Sequence, residues 1–172
     1  MDTAKRREEL LGKLKESNEP IPGRSLAEVF SVSRQVIVQD IALLRAKGEE
    51  IQATSRGYII EETKNQMVEK TIACKHRRGA EDIKKEIETI IKYGGRVKNV
   101  IVEHPLYGEI KGLLRIQNQE DLDEFIAEYR RNNVNPLLTL TDGVHLHTIE
   151  GLNEDVLKLI EEQLKTKGFL VE

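Results

Sequence analysis

Apolar residues recur along this chain at two different periods, and the change of period divides it in two. Over residues 4–16, Leu10, Leu11 and Leu14 form the apolar edge of an otherwise charged helix, which the Asn18 to Pro22 segment ends. A short helix is predicted over about 25–30, followed by a tight turn at Ser31-Val32-Ser33. Ser33 is placed to cap a longer helix that runs to about Lys47, with Ile37, Ile41 and Leu44 at i, i+4 and i+7 as its inward stripe. Gly48 stops it, and two short strands at 51–54 and 58–60 meet at Ser55-Arg56-Gly57. Helix, short helix, capped helix and hairpin in this order predict a winged helix-turn-helix.

The second part alternates strands with helices. Strands are predicted at 68–76, 97–102 and 109–116, and helices at 80–93, 118–132 and 153–167. Residues 137–141 and 144–149 read as a hairpin around Asp142-Gly143. The fold class expected is α+β: a winged helix-turn-helix over residues 1–62, then an α+β sandwich sensor domain over 67–172 with helices on one sheet face. The polar run from Glu61 to Gln66 reads as the linker.

Composition narrows the class. The 172 residues carry a net charge of −3, one cysteine, no Trp, and no apolar run near the roughly 18 residues that a membrane span needs. A lone Cys74 makes no disulfide framework, so a cytoplasmic protein without membrane attachment is expected. Residues 1–64 hold eleven basic and eleven acidic side chains, so affinity for nucleic acid has to come from local placement rather than bulk charge. That placement is favourable. Arg34, Gln35, Val38 and Gln39 face outward on the first turns of the capped helix, where Arg suits guanine and Gln suits adenine in a major groove. Val36 suits a thymine methyl or a packing role, Ser33 caps the helix beside them, and Arg56 at the hairpin tip suits a phosphate.

Chemistry in the second part rests on histidine. His145 and His147 alternate with Val144 and Leu146 on a predicted strand, so both imidazoles share one face and can hold a single ion. His76 follows Cys74 on the same face of another strand. In the helix after it, Ile83, Ile87, Ile90 and Ile91 form the apolar stripe, and Glu86 is the carboxylate nearest that stripe, roughly 85° from its centre at 100° per residue. Three imidazoles and a carboxylate suit a divalent transition metal: zinc, nickel, cobalt and iron(II) all qualify. Cys74 is a further candidate ligand, or a small buried apolar residue. His104, held extended by Pro105, is expected with Tyr107 to line a ligand pocket, and Arg115 is assigned to that pocket by charge.

Several segments together resemble one family. They are Gly94-Gly95-Arg96-Val97, the stretch Val102-Glu103-His104-Pro105-Leu106-Tyr107-Gly108-Glu109-Ile110, and Leu140-Thr141-Asp142-Gly143-Val144-His145-Leu146-His147-Thr148. The chain resembles the nicotinate-responsive bacterial repressors of NAD biosynthesis, which pair a winged-helix head with a three-histidine, or 3H, domain. The resemblance implies His76, Glu86, His145 and His147 as metal ligands. It further implies nicotinic acid as corepressor, a double-stranded operator of NAD synthesis or niacin uptake genes as target, and a homodimer to match a two-fold operator. A metal-sensing repressor is the alternative. A metal-dependent hydrolase fits less well, since H-E-x-x-H and G-x-S-x-G are both missing, and no enzymatic activity is expected.

Overall fold

The computed structural model describes residues 2–60, 67–132 and 134–171. The linker expected at 61–66 lies outside the described residues. The chain forms two compact units, residues 1–64 and 65–172.

The first unit comprises α1 (Thr3–Glu16), α2 (Gly23–Val29), α3 (Arg34–Ala46), β1 (Ile51–Thr54) and β2 (Gly57–Ile60). Leu10 and Leu14 of α1, Leu26 of α2, and Ile37, Ile41 and Leu44 of α3 close one core with Ile51. In α1 and α3 the contributing positions are three or four apart, the spacing that puts side chains on one face. Ser33 caps α3 by accepting from the Val36 amide at 3.3 Å. The two wing strands pair in antiparallel register from Ile51↔Ile60 to Thr54↔Gly57. An additional bridge, Ile21↔Tyr58, ties the wing to the segment before α2. Gly57 is needed there: its φ is +137°, and a Cβ would lie 2.2 Å from the Ile21 carbonyl oxygen.

The second unit comprises β3 (Val68–Lys75), α4 (Ala80–Lys92), β4 (Arg96–His104), β5 (Gly108–Ile116), α5 (Gln119–Asn132), a 3-10 turn (Leu137–Thr141), β6 (Val144–Gly151) and α6 (Glu154–Thr166). Its four strands form one antiparallel sheet in the order β3-β6-β4-β5. Ile83, Ile87 and Ile90 of α4, Leu122 and Ile126 of α5, and Leu157, Ile160 and Leu164 of α6 bury one sheet face, made of Ile72, Val97, Leu114, Ile116 and Ile149. Burying an aliphatic side chain of this kind contributes about 1.5–3 kcal/mol, so this layer is where the unit's stability is concentrated.

One expected strand is not a strand. Residues 137–141 form the 3-10 turn, because β6 already has β3 on one edge and β4 on the other and offers no third edge. Local chemistry favours the turn as well: Pro136 precedes it, and the Thr139 hydroxyl donates to the Pro136 carbonyl at 2.8 Å. No helix among the described residues is long and apolar enough to cross a membrane.

Candidate metal centre and DNA-reading helix

Sheet register brings the histidines of the second unit together. Cys74 pairs with His145 and Ile72 with His147, so all four side chains point to the helix-covered face, and His76 continues the same alternation just past β3. Glu86 stands on α4 between Ile83 and Ile87 and is buried with them. Glu86 is 1% exposed, His145 2% and His147 3%. Glu86 Oε2 lies 2.8 Å from His76 Nε2 and 3.4 Å from His147 Nε2, while Oε1 lies 3.2 Å from His145 Nε2. The rings of His76 and His145, and those of His145 and His147, stand edge to face with centroids 4.9 Å apart.

The other ring nitrogens decide what this cluster can do. His76 Nδ1 lies 2.6 Å from the Arg77 carbonyl, His145 Nδ1 2.9 Å from that of Gly143, and His147 Nδ1 2.7 Å from that of Asn99. A carbonyl only accepts, so each Nδ1 carries the hydrogen, and a neutral ring then turns the Nε2 lone pair toward the Glu86 carboxylate. Lone pairs facing an anion in a dry site repel unless a proton or a cation lies between them. A divalent ion fits this donor set. It would satisfy the imidazole nitrogens and the carboxylate at once, and backbone-anchored Nδ1–H groups are the usual support for metal-binding imidazoles.

Titration behaviour follows from the same contacts. Burial works against charging His76 and His147, but the hydrogen bonds and negative charge of Glu86 outweigh it and raise both pKa values. Burial works against ionising Glu86 in turn, yet the imidazoles around it, His147 foremost, hold its pKa well below the ordinary carboxylate value. The Cys74 thiol is pushed up, first by burial and then by Glu86.

Three supports of this centre have no counterpart in the expectations above. A register shift in β4 between Val97 and Asn99 accompanies the approach of the Asn99 carbonyl to His147, while the Asn99 side chain accepts from the Thr148 amide at 3.0 Å. Gly143 has φ +90°, and a Cβ there would lie 2.3 Å from the His76 carbonyl oxygen, so only glycine lets the end of β3 cross this point. Phe169 packs edge-on against His76 with centroids 5.7 Å apart, and its carbonyl accepts from the Lys75 amide at 2.8 Å. A conspicuous signal existed only for Gly143, as the Asp-Gly pair before the H-x-H strand.

The expected ligand-pocket residues are placed elsewhere. His104 Nδ1 accepts from the Leu106 and Tyr107 amides at 3.2 and 3.3 Å, and its ring packs on Tyr107 with centroids 4.9 Å apart. Both are engaged with the β4–β5 turn rather than with Glu86, and Tyr107 is 70% exposed. Arg115 lies on β5, which β4 separates from the histidine strand, and it has φ +53°. The edge position and the strained backbone place it in a sheet irregularity, two strands from the imidazoles.

In the first unit, Arg34, Gln35 and Gln39 are exposed on the opening turns of α3, and Val36 and Val38 are half-buried. Arg56 is not extended from the wing. Its Nη1 meets Glu19 Oε2 at 3.1 Å, and its side chain is 19% exposed. Asp40, on the inward face of α3, accepts from Arg6 Nε at 2.7 Å and lies 3.5 Å from Arg7 Nη1.

A capped, polar-faced helix with a wing, followed by a separate domain that buries a histidine–carboxylate cluster, defines a two-domain DNA-binding regulator. Comparison with known proteins agrees: residues 6–59 match the HTH domain and residues 69–172 match the 3H domain. The chain is 48% identical over 159 residues to the probable transcription repressor NiaR of Thermotoga maritima, spanning 92% of this chain and 89% of that protein. It is 40% identical over 171 residues to the transcription repressor NadR of Bacillus subtilis, spanning 98% and 94%. It belongs to the family of 3H-domain transcription repressors represented by these two proteins.

Proposed function

We propose that this chain is a cytoplasmic, dimeric repressor of NAD biosynthesis or niacin uptake genes, with nicotinic acid as its corepressor. His76, Glu86, His145 and His147 hold its divalent metal. The observation that carries the metal reading is the orientation of the imidazoles, each fixed through Nδ1 to a backbone carbonyl and turned through Nε2 to one buried carboxylate. Bound there, the ion supplies Lewis-acid positions for nitrogen and oxygen donors, the two donor types that a pyridine carboxylate carries.

The chain's own residues do the rest. Nδ1–H anchoring keeps the rings in one tautomer, and Phe169 limits the movement of His76. In the head, Arg34, Gln35 and Gln39 read base edges, Val36 sits against the duplex, and Ser33 holds the start of the reading helix. Arg56 reaches a phosphate by exchanging its contact with Glu19. Corepression requires that the vitamin prefer the arrangement in which two heads match two half-sites. A coupling of about 1–3 kcal/mol would tighten operator binding about 5- to 150-fold.

A gel shift on a promoter of niacin uptake genes tests this at fixed metal concentration. Nicotinic acid should tighten binding, and His145→Ala with His147→Ala should remove that response while leaving weak, salt-sensitive DNA binding. Tightening by the ion alone, with no response to the vitamin, would make the chain a metal sensor instead.

A further inference from the structure

We propose that Cys74 is a fifth ligand in the metal centre, and that its thiolate brings the buried site to electrical neutrality. This rests on the four-ligand reading above and extends it. Cys74 pairs across β3 and β6 with His145, so the two side chains leave the sheet on the same face. Its sulfur, a Glu86 oxygen and a His145 nitrogen lie within 4.8 Å of one another, and all three residues are buried. Cys74 packs into the hydrophobic core on one side, but a cysteine that only fills space has no polar neighbours, and this one also abuts a carboxylate and an imidazole.

Charge gives the reason for a thiolate. A divalent ion with Glu86 and three neutral imidazoles leaves one uncompensated positive charge among groups that are almost wholly out of water. Burying an unpaired charge is costly, and a second anion removes that cost. Cys74, buried against Glu86 and His145, is placed to supply it: its S–H bond breaks, a sulfur–metal bond forms, the proton leaves to solvent, and no electron is transferred. A sulfur donor would also favour zinc, cobalt or nickel over magnesium or manganese.

The whole chain, stripped with chelator and titrated with cobalt(II), reports this directly. Cys74 is the only cysteine, so a thiolate-to-cobalt charge-transfer band in the near ultraviolet can arise only from it. We expect that band to grow to saturation at one cobalt per chain, and a zinc-loaded sample to show one sulfur scatterer by X-ray absorption. Cys74→Val should lose the band and keep the visible ligand-field bands. Saturation with ligand-field bands but no charge-transfer band in the unaltered chain would overturn the thiolate and leave the four-ligand site standing. Failure of the unaltered chain to bind cobalt, or equal uptake by the His145→Ala, His147→Ala variant, would overturn the four-ligand site and the thiolate with it.

Discussion

Asp40 in the first unit and Glu86 in the second are each buried on the inner face of a helix, and these two carboxylates are answered in opposite ways. Asp40 of α3 meets Arg6 and Arg7, whose guanidinium groups stay charged at any physiological pH. Glu86 of α4 meets His76, His145 and His147, which are cationic only when protonated. The first pairing is complete within the chain and fastens α3 to α1. The second is complete only with added protons or an added ion. Burial of an acid therefore does not by itself mark a functional site. What marks it is a set of partners that cannot neutralise the acid unaided.

Two substitutions break or sharpen this contrast. Glu86→Gln should weaken metal binding most, by more than ~100-fold, because loss of an outer-shell partner alone already costs about 10- to 100-fold. Competition with a chromophoric chelator measures it. With metal removed, the same change should still speed the hydrogen exchange of α4 on the acid side, where protonated His76 and His147 pair with the carboxylate, and progressively less as pH rises and the rings become neutral. Asp40→Asn should destabilise α3 by about 2 kcal/mol, the cost of breaking a buried ion pair discounted because Arg6 and Arg7 keep some solvent contact. That loss, read from hydrogen exchange of α3, should be the same with and without metal. A metal-dependent effect of Asp40→Asn would erase the distinction between the two carboxylates.

Acidity sharpens the contrast further in chelated protein. His76 and His147 have raised pKa values, so their stabilising contribution is complete below the ordinary value of 6.5 and is lost as pH climbs through the elevated folded values. Glu86 has a depressed pKa, so its contribution is present above the ordinary 4.5 and is lost as pH falls through the lowered folded value. Metal-free protein should thus hold the second unit best between about pH 4.5 and 6.5, with thermal stability declining on the alkaline side. Metal-loaded protein should show the opposite alkaline trend, because imidazoles bind an ion only when deprotonated. Differential scanning fluorimetry with and without chelator would show the two curves diverging, and parallel curves would remove the imidazoles from the stability balance.

Local periodicity made much of this readable. The alternation of His145 and His147 and the position of Glu86 beside the isoleucine stripe are properties of one strand and one helix, and the structure brings those side chains together. Long-range pairing hid the remainder. Residues 137–141 look like a strand, and only the occupied edges of β6 exclude it. The Asn99 carbonyl reaches His147 beside a register shift that exists only once β4 and β6 have paired. Asp40 stands among Ile37, Ile41 and Leu44 and could have been read as buried, but Arg6 lies 34 positions away. Arg56 likewise reads as a free wing-tip cation until Glu19, distant in sequence, meets it.

The smallest effect expected belongs to Ser33. Its hydroxyl satisfies one of the amides that a helix start leaves open, at a fairly long 3.3 Å, so Ser33→Ala should cost about 1 kcal/mol. The loss should be confined to α3, leaving cobalt uptake by the second unit unchanged. It should also differ from Arg34→Ala in kind. Fraying the first turn should misplace Arg34 and Gln35 together and weaken operator and nonspecific DNA alike, whereas removing the Arg34 guanidinium should take away the base contact proposed for it and lower their ratio. Gel shifts on operator and scrambled duplexes at two salt concentrations separate the outcomes. A fall in that ratio for Ser33→Ala equal to the fall for Arg34→Ala would mean that Ser33 itself reads the duplex.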